Sequence, residues 1–287
     1  MKAHFSILTL ATLFVGQVYA GDDHSGHTDY TGSYEINNQD TGTVVKVVVD
    51  TNNNTRNIMS NAMPNIPTGQ FPGPANPNTI SAQELNYTFT TAPVNTGSPT
   101  KRHTVGVAVN GIIFEPQTNE WFECETGEEY RIEAIQDRFD LGLDLNNAHV
   151  QPNGEYHFHG IPDKLAEMSD SDLVLMGFAA DGFLIYSSKS DAYQSGYTLK
   201  TSLREGTNCA YRKRGPNGGS FAMDQERNGV ITDDWEFTGG EGTLAWIIHR
   251  GKVAEKMIVV KDNLQTITYA QKPSPHDRKY YNTACFV

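Results

Sequence analysis

Residues 144–160 read DLNNAHVQPNGEYHFHG, and three of the chain's nine histidines fall between positions 149 and 159 of it. His157 and His159 are two apart, so on a strand they point to the same face. His149 joins them only if the turn is right. A two-residue Asn153-Gly154 loop would pair Pro152 with Glu155 and ask proline for a backbone N–H it lacks. A three-residue loop, Pro152-Asn153-Gly154, puts proline where its fixed φ fits a type I turn and glycine at the left-handed position of a bulge. That register pairs Gln151 with Glu155 and sets His149 opposite His157, on one face with Cβ atoms about 4.5–5.5 Å apart. Three imidazoles on one face suit Zn, Cu, Ni or Fe, and three protein ligands leave a coordination position open. His103 and Asp144 are the candidates for a fourth ligand or for orienting an imidazole N–H. Tyr156 points to the other face and reads as a packing residue. The plainer alternatives are a hydrogen-bonded histidine cluster on a polar sheet face, or metal-free acid–base chemistry at His149 or His157.

Outward from this hairpin, the pattern is β-rich. TVVKVVVD (Thr43 to Asp50) is a β-branched run. Val105 to Val109 and Ile112 to Phe114 read as strands around an Asn110-Gly111 turn. Trp121 to Cys124 and Tyr130 to Gln136 flank Thr126-Gly127, and GFAADGFLIYS (Gly177 to Ser187) folds back at Asp181-Gly182. Thr243 to His249 and Val253 to Lys261 form a last pair around Gly251. Asp163 is placed to cap a short helix running through Met168. Residues 51–100, rich in Asn, Pro, Thr and Gly, suit loops and short edge strands; they carry Asn-x-Thr sequons at Asn53 and Asn86. The fold class expected is mainly β: an antiparallel sandwich or barrel-like core with short helices.

The chain has 287 residues and a formal net charge of −12. That length allows one large or two small domains. The acidic balance opposes non-specific binding to nucleic acid. Lys2, a largely apolar stretch from Phe5 to Val18 and Val18-Tyr19-Ala20 have the layout of a secretory leader over 1–20. No other run is long and apolar enough to predict a membrane span. Residues 21–40, with His24 and His27, read as a polar, mobile tail. Cys124, Cys209 and Cys285 lie beyond the leader; one pair plus a free thiol is open to them, and spacing does not choose it. There is no Cys-x-x-Cys, Gly-x-Ser-x-Gly, His-Glu-x-x-His or phosphate-loop motif. DLGLDLNN (Asp140 to Asn147) lacks EF-hand spacing.

The segment NNAHVQPNGEYHFHGIP (Asn146 to Pro162) resembles the signature of the YHYH-domain proteins, an exported family found mostly in bacteria. Its Tyr-His-Tyr-His run stands here as Tyr156-His157-Phe158-His159. GVAVNGIIFEP (Gly106 to Pro116) and GFAADGFLIY (Gly177 to Tyr186) are similar to further family blocks in the same order, so the likeness spans about 103–190. Phe158 keeps a ring and drops a phenol hydroxyl. Leu145 stands where related sequences often have cysteine, so no disulfide carries over there. The resemblance implies export and an intact histidine hairpin, and brings no reaction with it.

The organisation expected is a leader (1–20), a loop-rich region with a few strands (21–100) and a β-rich YHYH-like domain (101–287). The expected function is a periplasmic or secreted metal-binding protein. His149, His157 and His159 form the site, with His103 or Asp144 beside them. Copper or zinc is the expected ion, and the partner is a small molecule or a surface. The competing expectation is a non-catalytic cell-surface or extracellular interaction module with structural histidines.

Overall fold

The computed structural model describes residues 30–93, 104–136, 138–189, 197–212, 223, 225–237, 244–250, 253–261, 265–266, 268–269 and 284–285, the segments beyond 237 by their backbone alone. The expected leader, His24, His27, His103 and His276 lie outside this set.

Alternation builds the first sheet. β1 (Tyr34–Asn38), β2 (Thr43–Asp50), β3 (Thr55–Ser60) and β4 (Leu85–Thr90) pair antiparallel in that order. Along β2, Thr43, Val45 and Val47 are buried while Val44, Lys46 and Val48 face outward, the period of two that a half-buried strand demands. The predicted tail is thus shorter than the sequence suggested: residues 34–38 pair with 43–47. β3 is an interior strand rather than an edge, bonded to both β2 and β4.

The larger sheet contains the hairpin. Its main path runs through β5 (Gly106–Ala108), β6 (Ile113–Phe114), β9 (Ala148–Val150), β10 (Tyr156–Phe158), β11 (Leu173–Ala179), β12 (Leu184–Ser188), β16 (Leu244–Arg250) and β17 (Val253–Lys261), in the order β16-β17-β12-β11-β5-β6-β10-β9, and β18 (Gln265–Thr266) also pairs with β17. The intervening β7 (Gln117–Glu123) and β8 (Glu129–Glu133) pair with β14 (Ala210–Arg212), and β13 (Tyr197–Leu199) pairs with β15 (Trp235–Phe237). All pairs are antiparallel except β6–β10, which run parallel with Phe158 beside Phe114. Among the described residues no sheet closes into a barrel.

Four hairpins share one loop chemistry. In each, a three-residue loop ends in glycine at positive φ: Gly111 (81°), Gly127 (98°), Gly154 (87°) and Gly182 (100°). In each, the glycine N–H donates to the carbonyl three residues back, as a type I turn with a bulge requires. The Asn110-Gly111 turn therefore takes in Val109 as well, since the Ala108 N–H donates to the Ile112 carbonyl at 2.7 Å.

The two sheets share one core, in which Val45, Val47, Ile58 and Phe89 pack with Val107, Phe114, Phe158 and Phe178. Each such side chain contributes roughly 1.5–3 kcal/mol by leaving water. Tyr34 donates its hydroxyl to the Val109 carbonyl at 2.8 Å, and the buried Arg56 guanidinium lies 4.1 Å from the Phe178 ring centre. A second core lies around β7, β8 and β14. Cys124 and Cys209 are disulfide-bonded there across 85 positions; in the chain-entropy model such a link offsets roughly 4–5 kcal/mol of unfolded-state freedom. The short helix α1 (Asp163–Ala166) ends before Met168, and Asp163 is not its cap. Pro162 holds that place without a side-chain bond, and the Lys164 N–H donates instead to Asn146 Oδ1 at 3.1 Å. No helix among the described residues is long and apolar enough to cross a membrane.

Candidate metal centre

The hairpin register is the one proline chemistry demands. His157 pairs with His149, Tyr156 with Val150 and Phe158 with Ala148. The Gln151 N–H donates to the Glu155 carbonyl at 2.9 Å. Period two then divides the strand: Tyr156 and Phe158 are fully buried in the apolar core, and the imidazoles gather on the other face.

His157 and His159 are 2% and 4% exposed, whereas His149 is half-buried, so the cluster meets solvent on the His149 side. The rings stand edge to face, centroids 4.6–4.8 Å apart and planes 66–89° to one another. Their Nε2 atoms converge: His159 Nε2 is 3.0 Å from that of His157 and 3.1 Å from that of His149. One ligand atom from each ring lies within 4.8 Å of the other two. The N···N edge of a tetrahedral zinc site with bonds of about 2.0–2.1 Å is about 3.3 Å.

Backbone carbonyls set the tautomers. His149 Nδ1 donates to the Leu141 carbonyl at 2.7 Å and His157 Nδ1 to the Glu155 carbonyl at 3.3 Å. Each ring's proton is thereby held at Nδ1, leaving Nε2 a bare lone pair. A single N–H on His159 can satisfy only one of two lone pairs fully. Protonation offers no relief, because burial drives His149 and His159 below the ordinary imidazole value and His157 down to about 3. His159 Nδ1 is buried without a well-formed hydrogen bond, yet the Pro116 and Glu115 carbonyls favour a proton there. With that proton on Nδ1, three lone pairs face one point. This is the donor set that a transition metal takes, with backbone carbonyls fixing the outer ring nitrogens.

Asp144 is not brought into this group. Its Oδ2 accepts from the Tyr156 hydroxyl at 2.7 Å and the Gly69 N–H at 2.8 Å, and its Oδ1 from the Asn146 N–H at 2.8 Å. Tyr156 is therefore a fastening as well as a packing residue. Residues 67–81 lie along the edge strand β9. Asn76 and Asn78 both donate to the Val150 carbonyl, at 2.9 and 2.7 Å, and the Ser81 N–H donates to the Gly154 carbonyl at 2.9 Å. The histidine spacing could not show these partners, which lie some seventy residues upstream.

The buried imidazoles make the metal-free protein acid-sensitive. The unfolded rings take up protons below about pH 6.5 and the folded cluster does not. Stability is full above pH 6.5 and falls as pH drops toward about 3, the folded value for His157. The slope expected is up to about 1.4 kcal/mol per pH unit for each ring. Urea midpoints at pH 7.5, 5.5 and 4.5 measure it; a His157→Ala/His159→Ala variant with an equal slope would refute it.

A family profile described as YHYH protein matches residues 86–257. The match begins in β4 and ends in β17, and so extends beyond the stretch that the sequence motifs cover. No curated protein and no solved structure matches the chain.

Proposed function

The chain belongs to the YHYH protein family, and on that premise we propose that it is an exported metal-binding protein whose mononuclear centre is His149, His157 and His159. One observation carries the proposal: two buried imidazoles and a half-buried one converge, with His159 Nε2 about 3 Å from the Nε2 of each of the others and two of the outer nitrogens tied to carbonyls. A proton on His159 Nε2 satisfies one facing lone pair and leaves the other unmet, whereas a cation takes all three. Imidazole donors favour copper or zinc. A bound ion would supply Lewis acidity at a position open toward solvent. The chain's own part is to hold the three rings, exclude water from two of them and keep all three unprotonated. Export is supported by the leader layout of 1–20 and by the Cys124–Cys209 disulfide, a bond that persists in oxidising compartments.

The test is elemental analysis of the untagged protein purified without chelators, then after loading with each ion. About one copper or zinc per chain is the expected result. No bound metal under either condition would overturn the proposal and leave a hydrogen-bonded cluster in an interaction module.

A further inference from the structure

Two of the three rings have an outer nitrogen tied to a carbonyl, His149 to Leu141 and His157 to Glu155. His159 has no such tie: its Nδ1 is buried without a well-formed hydrogen bond. It also stands one residue beyond β10, which ends at Phe158. Yet its Nε2 is the atom that meets both of the others. Its aim has to come from the backbone that carries it.

That backbone is held by Asn147. The His159 N–H donates to the Asn147 carbonyl at 2.7 Å, the next rung after Phe158 opposite Ala148. A regular antiparallel pair of this kind exchanges two bonds. Here the Asn147 N–H turns away to the Asp144 carbonyl at 3.0 Å, and the residue stands in the left-handed region at φ 53°. The ladder stops, and a side chain continues it: Asn147 Nδ2 donates to the Ile161 carbonyl at 2.7 Å. One residue therefore grips both ends of the segment 159–161. On the other flank, the Glu115 N–H donates to the Phe158 carbonyl at 2.8 Å. Asn147 is 5% exposed, so water does not readily replace a bond lost there. Glycine would adopt this conformation with less strain and offer the same carbonyl. What asparagine adds is the amide donor.

We propose that Asn147 is the positioning residue of His159: its carbonyl and amide fix the backbone of segment 159–161 so that the His159 Nε2 meets the other two rings as a metal ligand. The ligand role rests on the metal reading above, and the test separates the two. Imidazole nitrogen NMR signals are recorded on metal-free, untagged protein, which is then titrated with Co(II) alone. N147G keeps the carbonyl and the left-handed turn and removes only the amide. It is expected to shift the His159 nitrogen signals and leave those of His157 in place. It is also expected to bind Co(II) on the order of tenfold more weakly than wild type, with moved visible bands. N147S, a bond shorter and uncharged, repeats the test should N147G not fold. F89L, a change in the shared core on β4, is expected to lower the melting temperature and alter neither readout, which separates positioning from general softening. If N147G leaves the His159 signals unmoved, Asn147 does not place the ring. If it moves them but binds Co(II) as tightly as F89L does, the placement does not serve a metal and the proposal falls. If wild type binds no Co(II), copper or zinc, the metal reading fails and the ligand role with it, while the His159 signals still decide whether Asn147 places the ring.

Discussion

Alanine at both His157 and His159 is expected to take the protein from about one bound metal ion per chain to none. Zinc sites with four protein ligands are worth roughly 10–16 kcal/mol, or about 3 kcal/mol per ligand. Losing two costs about 6 kcal/mol, some four orders of magnitude in affinity. The fold should tolerate the change better than a double truncation in an apolar core would. Phe158, between the two, points to the opposite face and keeps its contact with Phe114, ring centres 5.5 Å apart. The crowded Nε2 contacts also disappear. The measurement pairs metal content with melting curves recorded with and without added zinc. Wild type should gain about 2.7 kcal/mol at zinc a hundredfold above Kd, and the variant nothing. A variant that keeps its metal would move the site elsewhere in the chain.

Asp234→Ala is expected to destabilise the protein by about 3–5 kcal/mol, the usual consequence of stripping one partner from a buried ion pair. Asp234 is 0% exposed and Arg204 4%. Arg204 Nε donates to Asp234 Oδ1 at 2.8 Å, and the Gly229 and Ile231 N–H groups donate to Oδ2 at 3.0 and 3.2 Å. Removal therefore leaves a guanidinium without its counter-charge and two peptide donors unmet. Urea unfolding checks the figure, and a loss under 1 kcal/mol would show that water reaches the site. Metal content at saturation should not change, because the histidine hairpin packs in the other core.

What could be read from the sequence were the features decided within one hairpin. Pro152 cannot give an N–H, so the register of His149 against His157 was legible. The β-branched run TVVKVVVD announced a strand, though not which of its faces is buried, and the mainly β class followed. What escaped depends on partners far along the chain. Asp144 stands five residues from His149 and looked like a ligand, but its carboxylate turns to Tyr156 and to Gly69. Part of that was legible, because an aspartate accepting from the N–H two residues on is ordinary turn chemistry, as Asp144 accepts from the Asn146 N–H here. Asp163 looked like a helix cap because no local signal shows that Asn146 reaches Lys164. Nothing local marks the parallel pairing of β6 with β10, or the register slip between Gln117 and Trp121 in β7. His103 lies outside the described residues.

The segment over β9 bears on where this chain can be divided. The family match starts at residue 86, yet Asn76, Asn78 and Ser81, which satisfy the outer backbone of the histidine hairpin, all precede it. So do Val45, Val47 and Ile58, which share its core. Excised on its own, the matched stretch would present a bare strand to solvent, and bare strands recruit other chains. The part of the protein that carries the family's signature therefore leaves out the residues that cover its own outer strand.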